Sequence, residues 1–180
     1  MDKDYKSEIE KVFRESNSTN ELFDAFHFAL SKKILDLDSY KILLANPALS
    51  KDELKLFTEK LCTVITDKSY DIYTWSAGIL ENKTTDLGFI EDAVSYYIKA
   101  ALTNPAKQEP FLNLIKLYNF DINFPTNRKI INFITDSLNG LEHKSNVYNA
   151  LADLYKSLGD EKLMLKYKKS AEKSAREENQ

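Results

Sequence analysis

Glycine and proline are scarce in this chain, with four of each among 180 residues. Sandwiches and barrels depend on many tight turns built from these residues, so their scarcity argues against an all-β fold and for helices with short connections. The four glycines, Gly78, Gly88, Gly140 and Gly159, stand apart from one another. No glycine-rich loop is therefore present to bring backbone N–H groups against a phosphate, and no serine has the flanking glycines of a nucleophile elbow. A single cysteine, Cys62, leaves no internal disulfide to form. That fits a reducing compartment, and a cytoplasmic location is expected. The two histidines, His27 and His143, lie far apart with no second histidine or cysteine at ligand spacing. No run of about 18 apolar residues occurs, so no membrane insertion is expected. The stretch from Met1 to Ser7 lacks the apolar centre of a signal peptide. The formal net charge of −3 supplies no general attraction for a phosphate backbone, which disfavours nucleic acid as a partner.

What remains is helical. Apolar residues make up 43% of the chain and charged residues 29%, the balance expected of many helices that each keep one solvated face. Tyr5, Ile9, Val12 and Phe13 fall on one face of a helix over residues 4–15. Ser18 with Glu21 forms a capping-box pattern ahead of a helix over residues 20–35, striped by Leu22, Phe23, Phe26, Leu30 and Ile34. A short helix from Tyr40 is stopped by Pro47. Ser50 with Glu53 opens the next, through Leu54, Phe57 and Leu61. Further helices are expected over 69–82, 89–103, 110–119, 126–138, 145–158 and 160–176, with residues 83–88 as a loop and 121–125 as a linker. Pro110 suits a first helical turn, and Gly140 is expected to close its helix in a left-handed conformation. About ten helices and no strand result; residues 121–124 alternate but are too short to build a sheet.

Four aromatic residues, Tyr40, Trp75, Phe111 and Tyr148, are spaced 35, 36 and 37 residues apart. Each is followed at the third and fourth positions by aliphatic or small residues, and Tyr118 and Tyr155 extend the last two patterns. A period near 35 marks a stack of helix–turn–helix units, none able to bury its apolar face alone. The final pair is the most specific. Tyr148, Leu151, Ala152, Tyr155, Gly159 and Ala171 resemble a tetratricopeptide repeat, in which small residues let the two helices approach and large ones fill the gaps. Met164 and Lys168 depart from that pattern, standing where the family prefers a small residue and an aromatic. Ala93, Tyr97, Ala100 and Pro105 are similar to its second helix. Trp75 with Glu81 and Pro105 is also similar to the half-a-tetratricopeptide repeats of RNA-processing factors; the joint agreement of Ala152, Gly159 and Ala171 favours the first family.

The resemblance implies an all-α fold, a right-handed α-α superhelix. About four degenerate helix–turn–helix repeats would span residues 37–180, best matched over 69–105 and 145–176, behind an N-terminal helical pair over residues 1–36. It implies a non-enzymatic scaffold that binds a protein or peptide on a concave surface, without a cofactor or metal. Carried over residue by residue, the groove positions are Tyr73, Ser76 and Leu80, then Leu112, Lys116 and Asn119, then Asn149, Asp153 and Lys156. The full carboxylate-clamp set of chaperone-binding relatives is absent. A self-associating subunit, such as a homodimer docked through the N-terminal helices around Phe28, is the alternative, as is an RNA-processing type of scaffold.

Other residues have plainer readings. His143 reads as a surface loop residue, and His27 as partly buried beside its apolar stripe. Cys62 reads as a small core residue, and Asp36 and Asp38 as helix caps. Trp75 reads as a packing residue between the helices of its unit. Lys162, Lys166, Lys169, Lys173 and Arg176 fall on one face of the last helix, read as a solvated basic face favourably placed toward a helix C-terminus. The alternative is a site for an acidic partner, peptide or nucleic acid, which the nearby Glu161, Glu172, Glu177 and Glu178 weaken.

Overall fold

The structure, a computed structural model, describes residues 5–83, 87–120 and 125–179. Among them are ten α-helices and no strand. The expectations for residues 84–86 and 121–124 lie outside the described residues. The chain divides into two compact units, Met1–Thr85 and Asp86–Gln180. The first helix packs on the third as well as on the second.

The first unit contains α1 (Tyr5–Glu15), α2 (Thr19–Ser31), α3 (Leu37–Leu44), α4 (Lys51–Val64) and α5 (Ser69–Lys83), with a 3₁₀ turn at Thr66–Lys68. α1 lies against α2 and α3, while α3 touches α4 and α5 and α4 packs on α5. The apolar stripes read from the sequence supply the core: Ile9 and Phe13 of α1, Leu22 and Phe26 of α2, Tyr40 of α3, and Phe57 and Leu61 of α4 are all buried. Phe26 stands at the centre of an aromatic group, 4.8 Å from the Phe57 ring and 5.8 Å from that of Tyr40. The Tyr40 hydroxyl donates to the Ile34 carbonyl at 2.6 Å, and burial pushes this phenol up to about 12.

The helix boundaries follow from caps. Ser50 and Glu53 form the expected capping box at α4. At α2 the box is completed by relay. Glu21 N–H donates to Ser18 Oγ at 3.4 Å, the Glu21 carboxylate accepts from the Ser16 hydroxyl at 2.7 Å, and Ser16 Oγ accepts the Ser18 N–H at 3.1 Å. Asp36 caps α3 by accepting the Ser39 N–H at 3.1 Å. The α2 helix stops at Ser31, short of the expected Leu35. Lys33 takes a left-handed backbone with φ of 55°. The Ile34 N–H returns to the Ala29 carbonyl and the Lys33 N–H to that of Leu30, both at 3.0 Å. This pair of bonds closes a helix end and is usually built on glycine; a lysine in that place hides it from the sequence.

One buried amide ties the unit together. Asn46 donates from Nδ2 to the carbonyls of Phe13 at 2.8 Å and Ser16 at 3.0 Å, and its Oδ1 accepts the Ala48 N–H at 2.8 Å. It satisfies carbonyls at the end of α1 that have no partner within their own helix.

The second unit contains α6 (Leu87–Thr103), α7 (Glu109–Lys116), α8 (Pro125–Ser137), α9 (Ser145–Ser157) and α10 (Glu161–Glu178), with a 3₁₀ turn at Leu138–Gly140. α6 packs on α7 and α8, α7 on α8 and α9, and α9 on α10. Pro110 occupies the first turn of α7. The stacked rings of Phe111 and Phe133, 5.8 Å apart, join α7 to α8. α7 ends at Lys116, not at the expected Asn119. The Asn119 backbone is instead held by the Asn127 side chain, which accepts its N–H at 3.0 Å and donates to its carbonyl at 2.7 Å. Gly159 has φ of 74° and closes α9. Gly140 does not adopt the expected left-handed conformation, because a 3₁₀ turn ends α8 there.

Candidate functional site

The α9–α10 hairpin holds the group of sequence-predicted residues that the structure brings together. Its geometry starts at Gly159, whose positive φ lets the chain reverse after α9. The Asp160 N–H bonds back to the Tyr155 carbonyl at 3.0 Å, and Asp160 Oδ1 then caps α10 by accepting the Leu163 N–H at 2.9 Å. Leu151, Ala152 and Leu154 of α9 and Tyr167, Ala171 and Ser174 of α10 are buried. The Tyr155 and Tyr167 rings stack 5.4 Å apart. Burial raises both phenols above their ordinary range.

Asn149, Asp153 and Lys156 follow one another at helical spacing along α9, and all three are exposed. They line a cleft of about 280 Å³ together with Ala152 of α9 and Met164 and Lys168 of α10. The cleft thus has two ammonium groups, one carboxylate and one amide around a thioether and a methyl. Among the described residues, the side chains of Asn149, Asp153, Lys156 and Lys168 have no hydrogen-bond or ion-pair partner, so their donors and acceptors face solvent. Such a set can hydrogen-bond an extended peptide backbone and meet a carboxylate, with Met164 supplying adaptable apolar contact. Met164 and Lys168 were not among the groove positions carried over. The signal was present, because these are the two residues that depart from the repeat pattern.

The remaining candidates lie elsewhere. Lys116 is exposed at the end of α7 and donates to Asn113 Oδ1 at 3.3 Å, and Leu112 is half-buried. Neither lines the α9–α10 cleft. Asn119 lies beyond the end of α7. Ser76 and Leu80 are buried within the first unit. The Ser76 hydroxyl is 2.8 Å from that of Thr58. Thr58 gives its own proton to the Leu54 carbonyl, so Ser76 is the donor across the α4–α5 contact. Tyr73 is half-buried, and burial together with the neighbouring Cys62 raises its phenol.

Trp75 is not the buried packing residue expected from its period. It is 40% exposed, and its indole N–H donates to the Lys41 carbonyl of α3 at 3.2 Å. His27 is exposed, its ring 4.4 Å from that of Phe23, rather than partly buried. Cys62 is buried as a small core residue, and His143 is exposed in a loop. The five cations Lys162, Lys166, Lys169, Lys173 and Arg176 are all exposed on α10. Among the described residues, no group of three or more His, Cys, Asp or Glu is arranged to hold a metal ion, and no helix is long and apolar enough to cross a membrane.

Set beside known proteins, the chain matches no family model, no curated protein and no solved structure.

Proposed function

We propose that this protein is a non-enzymatic, helical-repeat scaffold of the tetratricopeptide type that binds a peptide or an extended protein segment. The observation that carries this reading is the α9–α10 cleft, where Asn149, Asp153 and Lys156 converge with Met164 and Lys168. Their polar groups are not consumed by the packing of the hairpin. Helix contacts within each unit support the repeat reading: α1, α3 and α5 touch in succession, as the first helices of stacked hairpins would, and α7 touches α9 in the same way. The proposed location is the cytoplasm.

Selection from a random-sequence displayed peptide library on the immobilised protein tests the proposal. Enrichment of related sequences that fail to bind the Asn149→Ala/Lys156→Ala/Lys168→Ala variant supports it. Enriched sequences that bind the variant equally well, or no enrichment at all, count against it.

The second reading is a self-associating subunit. It is favoured by apolar side chains left open on the first unit, among them Phe28 at 39% and Leu56 at 55% exposure. Phe28 already contacts the Tyr5 ring edge-on at 5.5 Å, which reduces the surface it offers. Light scattering across a dilution series separates the two readings.

A further inference from the structure

The first unit contains a second open groove, formed by α1, α3, the turn after α3, and α5, with a volume of about 560 Å³. Its floor is apolar, built from Ile42, Ala45 and Pro47, and Trp75 forms one wall. The indole is fixed rather than free to fold away, because its N–H is spent on the Lys41 carbonyl at 3.2 Å and the Lys41 ammonium lies 5.6 Å from the ring centroid. A half-exposed tryptophan whose polar atom is already satisfied offers a preformed apolar platform.

The charges around this groove are unequal. Lys41 is paired with Asp38 at 3.2 Å. Arg14, exposed on α1 at the rim, has no counter-ion or hydrogen-bond partner for its guanidinium among the described residues. The uncompensated charge of the groove is therefore a single cation beside an apolar floor. A nucleic-acid backbone would need several such cations, because its affinity grows with the number of phosphates neutralised. One apolar side chain with a carboxylate next to it in an extended chain satisfies both features at once: the side chain covers the indole and floor, and the carboxylate meets the planar fork of Arg14.

We infer that the Trp75–Arg14 groove docks an acidic peptide segment, with an apolar side chain on Trp75 and a neighbouring carboxylate on Arg14. This site is separate from the α9–α10 cleft and stands or falls independently of it.

The chain's one tryptophan is Trp75, so its fluorescence reports directly on the groove. The probe is an acetylated, amidated hexapeptide alternating leucine and aspartate, with the peptide carrying asparagine for each aspartate as control. The acidic peptide is expected to shift Trp75 emission to the blue and to saturate. The asparagine peptide should bind at least ten-fold more weakly, and Arg14→Glu should weaken binding of the acidic peptide by at least the same factor. Arg14→Gln, a milder surface change, should weaken it in the same direction and keeps the test usable if the reversal disturbs folding. No shift with the acidic peptide, equal shifts with both peptides, or the same shift with a single-stranded oligonucleotide would overturn the inference. An emission change on raising protein concentration alone would also overturn it, by assigning the groove to a second copy of the chain.

Discussion

The Glu178 carboxylate, near the end of α10, caps the beginning of α9 by gripping Ser145. It accepts the Ser145 hydroxyl at 2.5 Å on one oxygen, and the N–H groups of Ser145 at 2.9 Å and Lys144 at 2.6 Å on the other. A helix N-terminus presents unpaired N–H groups and a partial positive charge. Here the anion that answers them comes from the partner helix, not from a residue at the cap position. The bond therefore closes the open end of the hairpin whose other end turns at Gly159.

The Ser145 hydroxyl, and then the two N–H groups, hold the Glu178 carboxyl below its ordinary range. In the unfolded chain a glutamate titrates near about 4.3. A lowered folded value means that its contribution is complete above the unfolded value and is lost as pH falls through the folded one. Glu178→Gln is expected to cost about 1 kcal/mol at neutral pH, the scale of a lost cap. Thermal melts of the two proteins should converge on acidification from about pH 6 to about pH 3. A constant gap across that range would show that the charge contributes nothing.

Lys33 holds a left-handed backbone that a side chain disfavours. Lys33→Gly should stabilise the protein by about 0.5–1 kcal/mol, because glycine removes that conformational cost at a helix end. Gly159→Ala should destabilise it by about 1–2 kcal/mol for the converse reason. A Cβ at Gly159 would meet nothing within 4 Å, so any cost measured there is conformational rather than steric. Denaturant unfolding of both variants checks the pair of opposite signs.

Asn46 uses both ends of its amide inside the first unit. Asn46→Ala should cost about 2–3 kcal/mol, since the buried Phe13 carbonyl loses its donor. Asn46→Asp should be at least as damaging at neutral pH, because a carboxylate cannot donate to the two carbonyls. At low pH the protonated acid regains one donor, and part of the loss should be recovered. Equilibrium unfolding at two pH values reads this directly.

Much of the helix pattern was legible because local chemistry wrote it. The Ser50–Glu53 capping box, Pro110 in a first turn, Gly159 after α9 and the apolar stripes of α1 and α4 are signals within a few residues of one another. The exceptions have equally physical causes. The end of α2 at Lys33 carries no glycine to announce it. The cap on α9 comes from Glu178, more than thirty residues away. Trp75 falls on the aromatic period, yet its ring turns to α3 and is part-exposed, a choice made by the neighbour Lys41 rather than by spacing. In the α9–α10 cleft, Asn149, Asp153 and Lys156 fall together because they share one face of one helix. Met164 and Lys168 come from the facing helix, and the sequence marked them only as departures from a pattern. Ser76 and Leu80 are buried, and a position carried over by spacing alone takes no account of the Thr58 hydroxyl that meets Ser76 or of the core around Leu80.

The central claim is that the α9–α10 cleft binds a peptide, and titration of a labelled peptide selected on the protein tests it most directly. Fluorescence anisotropy would compare the unaltered chain with Asn149→Ala/Lys156→Ala/Lys168→Ala and with Lys162→Glu/Lys166→Glu/Lys169→Glu. All six positions are open to solvent, so helicity and melting should stay nearly unchanged. Each charge-assisted hydrogen bond is worth roughly 1.5–3 kcal/mol, so the cleft variant should bind at least ten-fold more weakly. Reversal of the basic face should change affinity by much less. Normal binding by the cleft variant with loss on reversal of the α10 lysines would contradict the account and move the site to the outer face of α10.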